Sequence, residues 1–128
     1  MASNKIVMVV EDDPFLAQLL SNRLGREGLT VVRAGDGEEA LNLLKGAKPD
    51  LILLDLILPK RSGFEVMEEI QKNSLLSKVP IVIISNLGQD DDIARGKQLG
   101  AIEYYVKAKI SIEDLVTKVQ ELLTSLVK

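Results

Sequence analysis

Five side chains in this sequence have types and positions that suit phosphoryl chemistry. Glu11 and Asp12 stand in VVEDD, Asp55 follows the aliphatic LILL, Ser85 closes VIIS and Lys107 closes YYV. Each of them ends an apolar run. Carboxylates gathered at one place repel one another and hold each other's protons unless positive charge sits among them. One lysine is a modest answer, so a divalent cation is the expected companion. The chain has no histidine and no cysteine, and hard oxygen ligands alone favour magnesium, manganese or calcium over zinc. Magnesium fits best, because it takes one or two protein carboxylates, keeps several waters and leaves room for a phosphate oxygen. Carboxylates also attack phosphorus to give aspartyl phosphates, which makes Asp55 the candidate nucleophile. Ser85 could then donate to one phosphoryl oxygen and Lys107 could pair with another.

Taken singly, these residues have ordinary readings. An acid at a strand end is commonly a turn residue or a helix cap, and Asp13, directly before Pro14, is better read as a cap than as a ligand. Ser85 alone would be a turn hydroxyl and Lys107 alone a solvated lysine. Acid, acid, hydroxyl and lysine, each ending a different apolar run, carry more weight together.

The elements that must position them are legible as short aliphatic runs at Ile6 to Val10, Leu29 to Val32, Leu51 to Leu54, Ile81 to Ile84 and Ala101 to Val106. Several are apolar on both faces, the pattern of a parallel sheet covered by helices on either side. The segments between them read as helices. Pro14 opens the first, with Leu16, Leu19, Leu20 and Leu24 as its apolar stripe and Gly28 at its exit. The second starts near Asp36 and carries Ala40, Leu43, Leu44 and Ala47 before Pro49; the third runs from about Phe64 to Lys72 around Val66, Met67 and Ile70. In the last, Ser111 and Asp114 approximate a capping box, Ile110 and Leu115 are placed to staple across it, and Leu115, Val116, Val119, Leu122, Leu123 and Leu126 form its stripe. The fourth, roughly Asp90 to Leu99, is weakly marked, with Gly96 in its interior and only Ile93, Ala94 and Leu99 to bury. Its packing should be marginal, and it is the element expected to move. The fold class is therefore α/β, doubly wound, with five strands and five helices, and in such sheets ligands bind at the carboxyl ends of the strands.

Composition narrows the field. At 128 residues and 46% apolar content the chain is read as one domain, residues 1 to 128, with a real core. A formal net charge of -3, without a basic stripe, disfavours direct nucleic-acid binding. No apolar run reaches spanning length and the N-terminus lacks the pattern of a signal peptide, so a cytoplasmic location and no membrane partner are expected.

With these residues assembled, the chain resembles the receiver domain of two-component response regulators, close to the chemotaxis-regulator type. The likeness rests on Glu11 and Asp12 in VVEDD, on Asp55, Pro59 and Gly63 in DLILPKRSG, on Ser85 in VIISN and on Lys107 in GAIEYYVKA. It implies a flavodoxin-like sheet of order 2-1-3-4-5. It implies that Asp55 accepts a phosphoryl group from a phosphohistidine on a histidine kinase or phosphotransfer protein. The resemblance also assigns magnesium, or manganese, to Asp12, Asp55 and the backbone carbonyl of Ile57, with Glu11 acting through water. Ser85 and Tyr104 would be the switch residues, reshaping the face of the fourth helix, fifth strand and fifth helix for a downstream protein or effector domain, as a monomer or a phosphorylation-induced dimer. Such a chain is no enzyme beyond its own phosphotransfer and slow dephosphorylation. Departures from the family pattern are Asn86 after Ser85, Ala108 after Lys107, and the apolar Ile57 and Leu87, positions that influence how attacking water is held. The alternatives are a phosphorylation-independent docking module, a magnesium-dependent phosphatase with an aspartyl nucleophile, for which Ile57 replaces the expected second acid, and a flavin carrier, for which EDDPF is a poor phosphate loop.

Overall fold

The structure, a computed structural model, describes residues 5–125. Strands β1 (Ile6–Val10), β2 (Thr30–Ala34), β3 (Leu51–Leu54), β4 (Ile81–Ser85) and β5 (Ala101–Val106) alternate with helices α1 (Pro14–Arg26), α2 (Gly37–Leu44), α3 (Gly63–Lys72), α4 (Asp90–Gln98) and α5 (Ile112–Ser125). They form one sheet in the order β2-β1-β3-β4-β5, every pairing parallel. The apolar runs pointed to a doubly wound α/β sheet, and the order is the flavodoxin-like one that the resemblance implied.

Two cores follow from the period of two along the strands. Met8, Val10, Ile52, Leu54, Ile81 and Ile83 face one side, where Val66, Met67 and Ile70 of α3 and Ala40 and Leu44 of α2 close over them. Val7, Val9, Leu51, Leu53, Val82 and Ile84 face the other and meet Leu20 and Leu24 of α1 and Leu115, Val116, Val119 and Leu123 of α5. Because both faces are covered, β1, β3 and β4 carry no polar alternation, and this is why they read as unbroken aliphatic runs.

Local details depart from the sequence expectations where pairing or packing overrides composition. β2 extends to Ala34 because its register with β1 continues from Ile6↔Thr30 to Val10↔Ala34, although Arg33 interrupts the apolar run. α2 ends at Leu44, so Ala47 lies beyond it. At α5 the Ser111 hydroxyl accepts from the Asp114 N–H at 3.0 Å. A reciprocal capping box stands instead at α3, where the Ser62 hydroxyl accepts from the Glu65 N–H at 3.2 Å and the Glu65 carboxylate accepts from the Ser62 N–H at 2.9 Å. Leu126 lies outside the described residues. In α4 the expected stripe is corrected: Ala94 is exposed, Ile93 and Leu99 are half-buried, and the buried residue is Gly96. The helix therefore lies on β5 through a glycine and two half-buried side chains, with no apolar stripe of its own.

Candidate functional site

The sheet ladder sets the site. Val10 of β1 pairs with both Ala34 and Leu54, and Leu54 pairs with Ile83, so the ends of the central strands are level. One step past the strands the ladder still holds: the Glu11 N–H donates to the Ala34 carbonyl at 3.0 Å and the Asp55 N–H donates to the Val10 carbonyl at 3.0 Å. Backbone hydrogen bonding therefore fixes both acids before their side chains do anything. Gly63, at the start of α3, closes the floor: its N–H donates to the Leu56 carbonyl at 2.9 Å, and a Cβ there would lie 2.3 Å from the Asp55 carbonyl oxygen. Only a glycine lets the helix start this close to the acid.

Among the described residues the buried polar and charged side chains are Glu11, Asp55 and Ser85, 3%, 3% and 0% exposed. All three belong to the set singled out from sequence. Burying polar groups without partners is costly, and here the partner is Lys107. Its Nζ donates to Asp55 Oδ2 at 2.8 Å and lies 2.8 Å from Glu11 Oε1. The second contact is an ion pair, so one ammonium is shared between two buried carboxylates. Glu11 Oε2 accepts from the Asp13 N–H at 3.0 Å, and Asp55 Oδ1 accepts from the Ile57 N–H at 3.3 Å. Asp13 is the cap of α1, its Oδ1 accepting from Phe15 and Leu16 at 3.0 and 3.3 Å.

Burial raises the Glu11 carboxyl above its ordinary value, with the Asp55 charge adding to the rise and the Lys107 and Asp13 hydrogen bonds opposing it. For Lys107, burial alone disfavours the ammonium, but the hydrogen bonds and charges of Asp55 and Glu11 outweigh it and the group is raised. One ammonium faces three carboxylates. Glu11, Asp12 and Asp55 each offer an oxygen within 4.8 Å of the others, with Asp12 exposed at the mouth. Surplus negative charge and a set of hard oxygen donors are the features a magnesium-sized cation would satisfy.

Beside the acids, Ser85 and Tyr104 meet at one peptide. The Ser85 hydroxyl accepts from the Leu87 N–H at 3.4 Å, while the Tyr104 hydroxyl donates to the Leu87 carbonyl. Leu87 thus enters through its backbone, which no side-chain pattern announces. Tyr104 packs on the α3 side of the sheet and Tyr105 on the α5 side, the opposite facing expected of neighbours in a strand. Burial raises the Tyr104 phenol, with Asp92 and Asp55 adding to the rise. No peptide bond among the described residues is cis, and Lys107 begins a single 3-10 turn through Lys109.

Fold and site together define a receiver module, and comparison with known proteins agrees. The chain belongs to the response regulator receiver domain family, which it matches over residues 7–120. It is 39% identical to the alkaline phosphatase synthesis transcriptional regulatory protein PhoP of Bacillus subtilis, over 81% of this chain and 42% of that protein. It is 35% identical to the transcriptional regulatory protein PdtaR of Mycobacterium tuberculosis, over 89% of this chain and 54% of that one. The chain spans about half the length of the curated relatives it matches. Among solved structures, the phosphorylated cyanobacterial phytochrome response regulator RcpA superposes with a TM-score of 0.87 at 30% identity, covering 98% of both chains. The Mn(2+)-bound form of response regulator Rcp1 superposes at 0.80 with 30% identity, covering 92% of this chain and 91% of that one.

Proposed function

We propose that this receiver domain is a phosphorylation-dependent switch whose acceptor is Asp55. The observation that carries the reading is the buried cluster itself, in which Asp55 lies 3% exposed with its Oδ2 held 2.8 Å from the Lys107 ammonium. The donor is a phosphohistidine on a histidine kinase or phosphotransfer protein. A carboxylate oxygen of Asp55 bonds to phosphorus as the bond from phosphorus to the imidazole nitrogen breaks, and the freed imidazole leaves with its partner. Lys107 neutralises the acceptor beforehand and pairs with a phosphoryl oxygen afterwards. Asp12, Asp55 and the Ile57 carbonyl would hold magnesium, or manganese, with Glu11 reached through water. A bound divalent ion there supplies charge neutralisation of the phosphoryl oxygens.

Ser85 and Tyr104 form the switch. A phosphate on Asp55 draws the Ser85 hydroxyl, which competes with its bond to the Leu87 N–H, and Tyr104 is tied to the same residue. Phosphorylation shifts the population only as far as the phosphate binds one packing better than the other. The output face is α4, β5 and α5, and between β5 and α5 a hollow of about 620 Å³ is lined by Tyr104, Tyr105, Lys109, Ile110 and Asp114 among others. A downstream protein or effector domain is the reader, the domain acts in the cytoplasm, and its own chemistry is limited to phosphotransfer and slow self-dephosphorylation. Ile57, 54% exposed, and the half-buried Leu87 give attacking water no polar partner, which is the reason for a long-lived phosphate.

Incubation with magnesium and a small phosphodonor, followed by intact mass, tests the acceptor. The parent gains one phosphate and Asp55→Asn gains none; equal labelling of both would move the acceptor elsewhere.

A further inference from the structure

Helix α4 has no buried apolar stripe, and one of the ties that hold it leads back to the acceptor by a second route. α4 buries only Gly96, whose missing Cβ lets the helix approach Ile83 and Tyr104; a Cβ there would lie 2.6 Å from Ile83 Cδ1. The helix lies on β5, and a second set of ties runs sideways to α3. The Arg95 guanidinium carbon lies 4.2 Å from the centroid of the Phe64 ring, and Arg95 Nη2 lies 3.5 Å from Glu68 Oε2. At the end of the helix the Gln71 side-chain amide donates to the Leu99 carbonyl. Phe64, Glu68 and Gln71 follow one another at helical spacing and so form a single stripe along α3. A planar cation is well suited to lie over an aromatic face while its edge reaches a carboxylate.

That stripe begins at the acceptor. Phe64 directly follows Gly63, the residue pressed against the Asp55 carbonyl and bonded to the Leu56 carbonyl at 2.9 Å. Any shift of backbone at Asp55 and Leu56 meets the first turn of α3 with no slack, because protein interiors are close-packed. Phe64 is buried and moves with that turn.

We propose that Arg95 is a positioning residue which clamps α4 to α3, so that the acceptor acts on α4 through Gly63 and Phe64 as well as through Ser85, Leu87 and Tyr104. This deepens the receiver reading and rests on it. Two routes then converge on one helix, and the ties of α4 to α3 are polar ones that a single substitution removes. The output face accordingly includes the α3 side of α4, where Glu68 and Arg95 are half-exposed.

Amide hydrogen exchange on the whole chain, with and without phosphodonor and magnesium, decides the matter. Arg95→Met keeps the aliphatic stem and removes the cation; exchange of α4 amides is expected to accelerate about threefold to tenfold while β3 and β4 amides stay as in the parent. Arg95→Lys restores part of the protection, and Phe64→Leu added to Arg95→Met changes α4 little further, because both remove the same contact. On phosphorylation the response at Leu87 and Tyr104 persists in Arg95→Met, whereas the change in exchange along α4 falls to less than half that of the parent. Unchanged α4 exchange, or acceleration spread evenly over β3 and β4, overturns the clamp. A normal phosphate adduct with a full α4 response in Arg95→Met overturns this inference alone, and absence of any adduct on the parent overturns the receiver reading with it.

Discussion

The acid rim and the α4 edge lie side by side on one sheet but are built by different means. At the rim, β1, β3 and β4 are buried on both faces, the ladder continues one residue past the strands, and Gly63 presses backbone against backbone beside Asp55. At the edge, α4 lies on β5 with a single fully buried residue, a glycine, and is tied to α3 by a cation over a ring, a half-exposed ion pair and one side-chain amide. Transfer of a phosphoryl group needs groups fixed to a fraction of an ångström, since it is mainly a matter of positioning and charge. Switching needs the opposite, two packings separated by little free energy. Under the proposed function, rigidity and weakness each lie where that function would use them.

Glycine substitutions give the sharpest contrast between the two regions. Gly63→Ala sets a methyl group against the Asp55 carbonyl and the Leu56 backbone, neither of which can yield, and should cost about 3 kcal/mol in urea unfolding and slow phosphorylation. A loss under 1 kcal/mol would mean that the rim is softer than its packing indicates.

Glu11→Gln probes the electrostatics of the rim. Burial raises the Glu11 carboxyl above its ordinary 4.5, so the fold favours the protonated form, and stability present at low pH is lost as pH rises through the raised value. The variant lacks that loss and should be about 1 kcal/mol more stable than the metal-free parent at neutral pH, while binding magnesium more weakly. Urea midpoints across acid to neutral pH, with and without magnesium, read both signs; a variant that is less stable without metal would mean that the pairing with Lys107 outweighs the burial.

Gly96→Ala, the counterpart on α4, meets the tip of Ile83 and the edge of the Tyr104 ring, not backbone. Alanine is the better helix former by about 1 kcal/mol, which offsets much of the clash, so net stability should change by less than about 1 kcal/mol while Tyr104 signals move. A loss as large as that of Gly63→Ala would erase the distinction drawn between rim and edge. The smallest effect belongs to neither region: Glu113→Ala removes an exposed pair at 3.3 Å from Arg23 and should cost no more than about 0.5 kcal/mol by the same unfolding measurement.

Much of the molecule was legible before folding because its signals are local or periodic. Unbroken aliphatic runs mark strands covered on both faces, Asp13 before Pro14 marks a helix start, and Glu11, Asp55, Ser85 and Lys107 each end a run, so the geometry of a parallel sheet is enough to bring them to one rim. The capping box of Ser62 and Glu65 was also written in the sequence as S-x-x-E. Other features had no local signal. Arg33 and Ala34 extend β2 only because β1 is there to pair with, and the role of Leu87 lies in a peptide group that every residue possesses. The stack of Arg95 on Phe64 and the closeness of Gly63 to Asp55 are likewise invisible in the residue types.

The sequence by itself determined which residues are apolar and with what period, and therefore the number and kind of elements and the polar groups at their ends. Tertiary structure alone decided which distant surfaces touch, how closely, and whether a given contact is backbone on backbone or tip on tip. The physical reason is that periodicity is a property of one segment, while the depth of a contact depends on the shape of two.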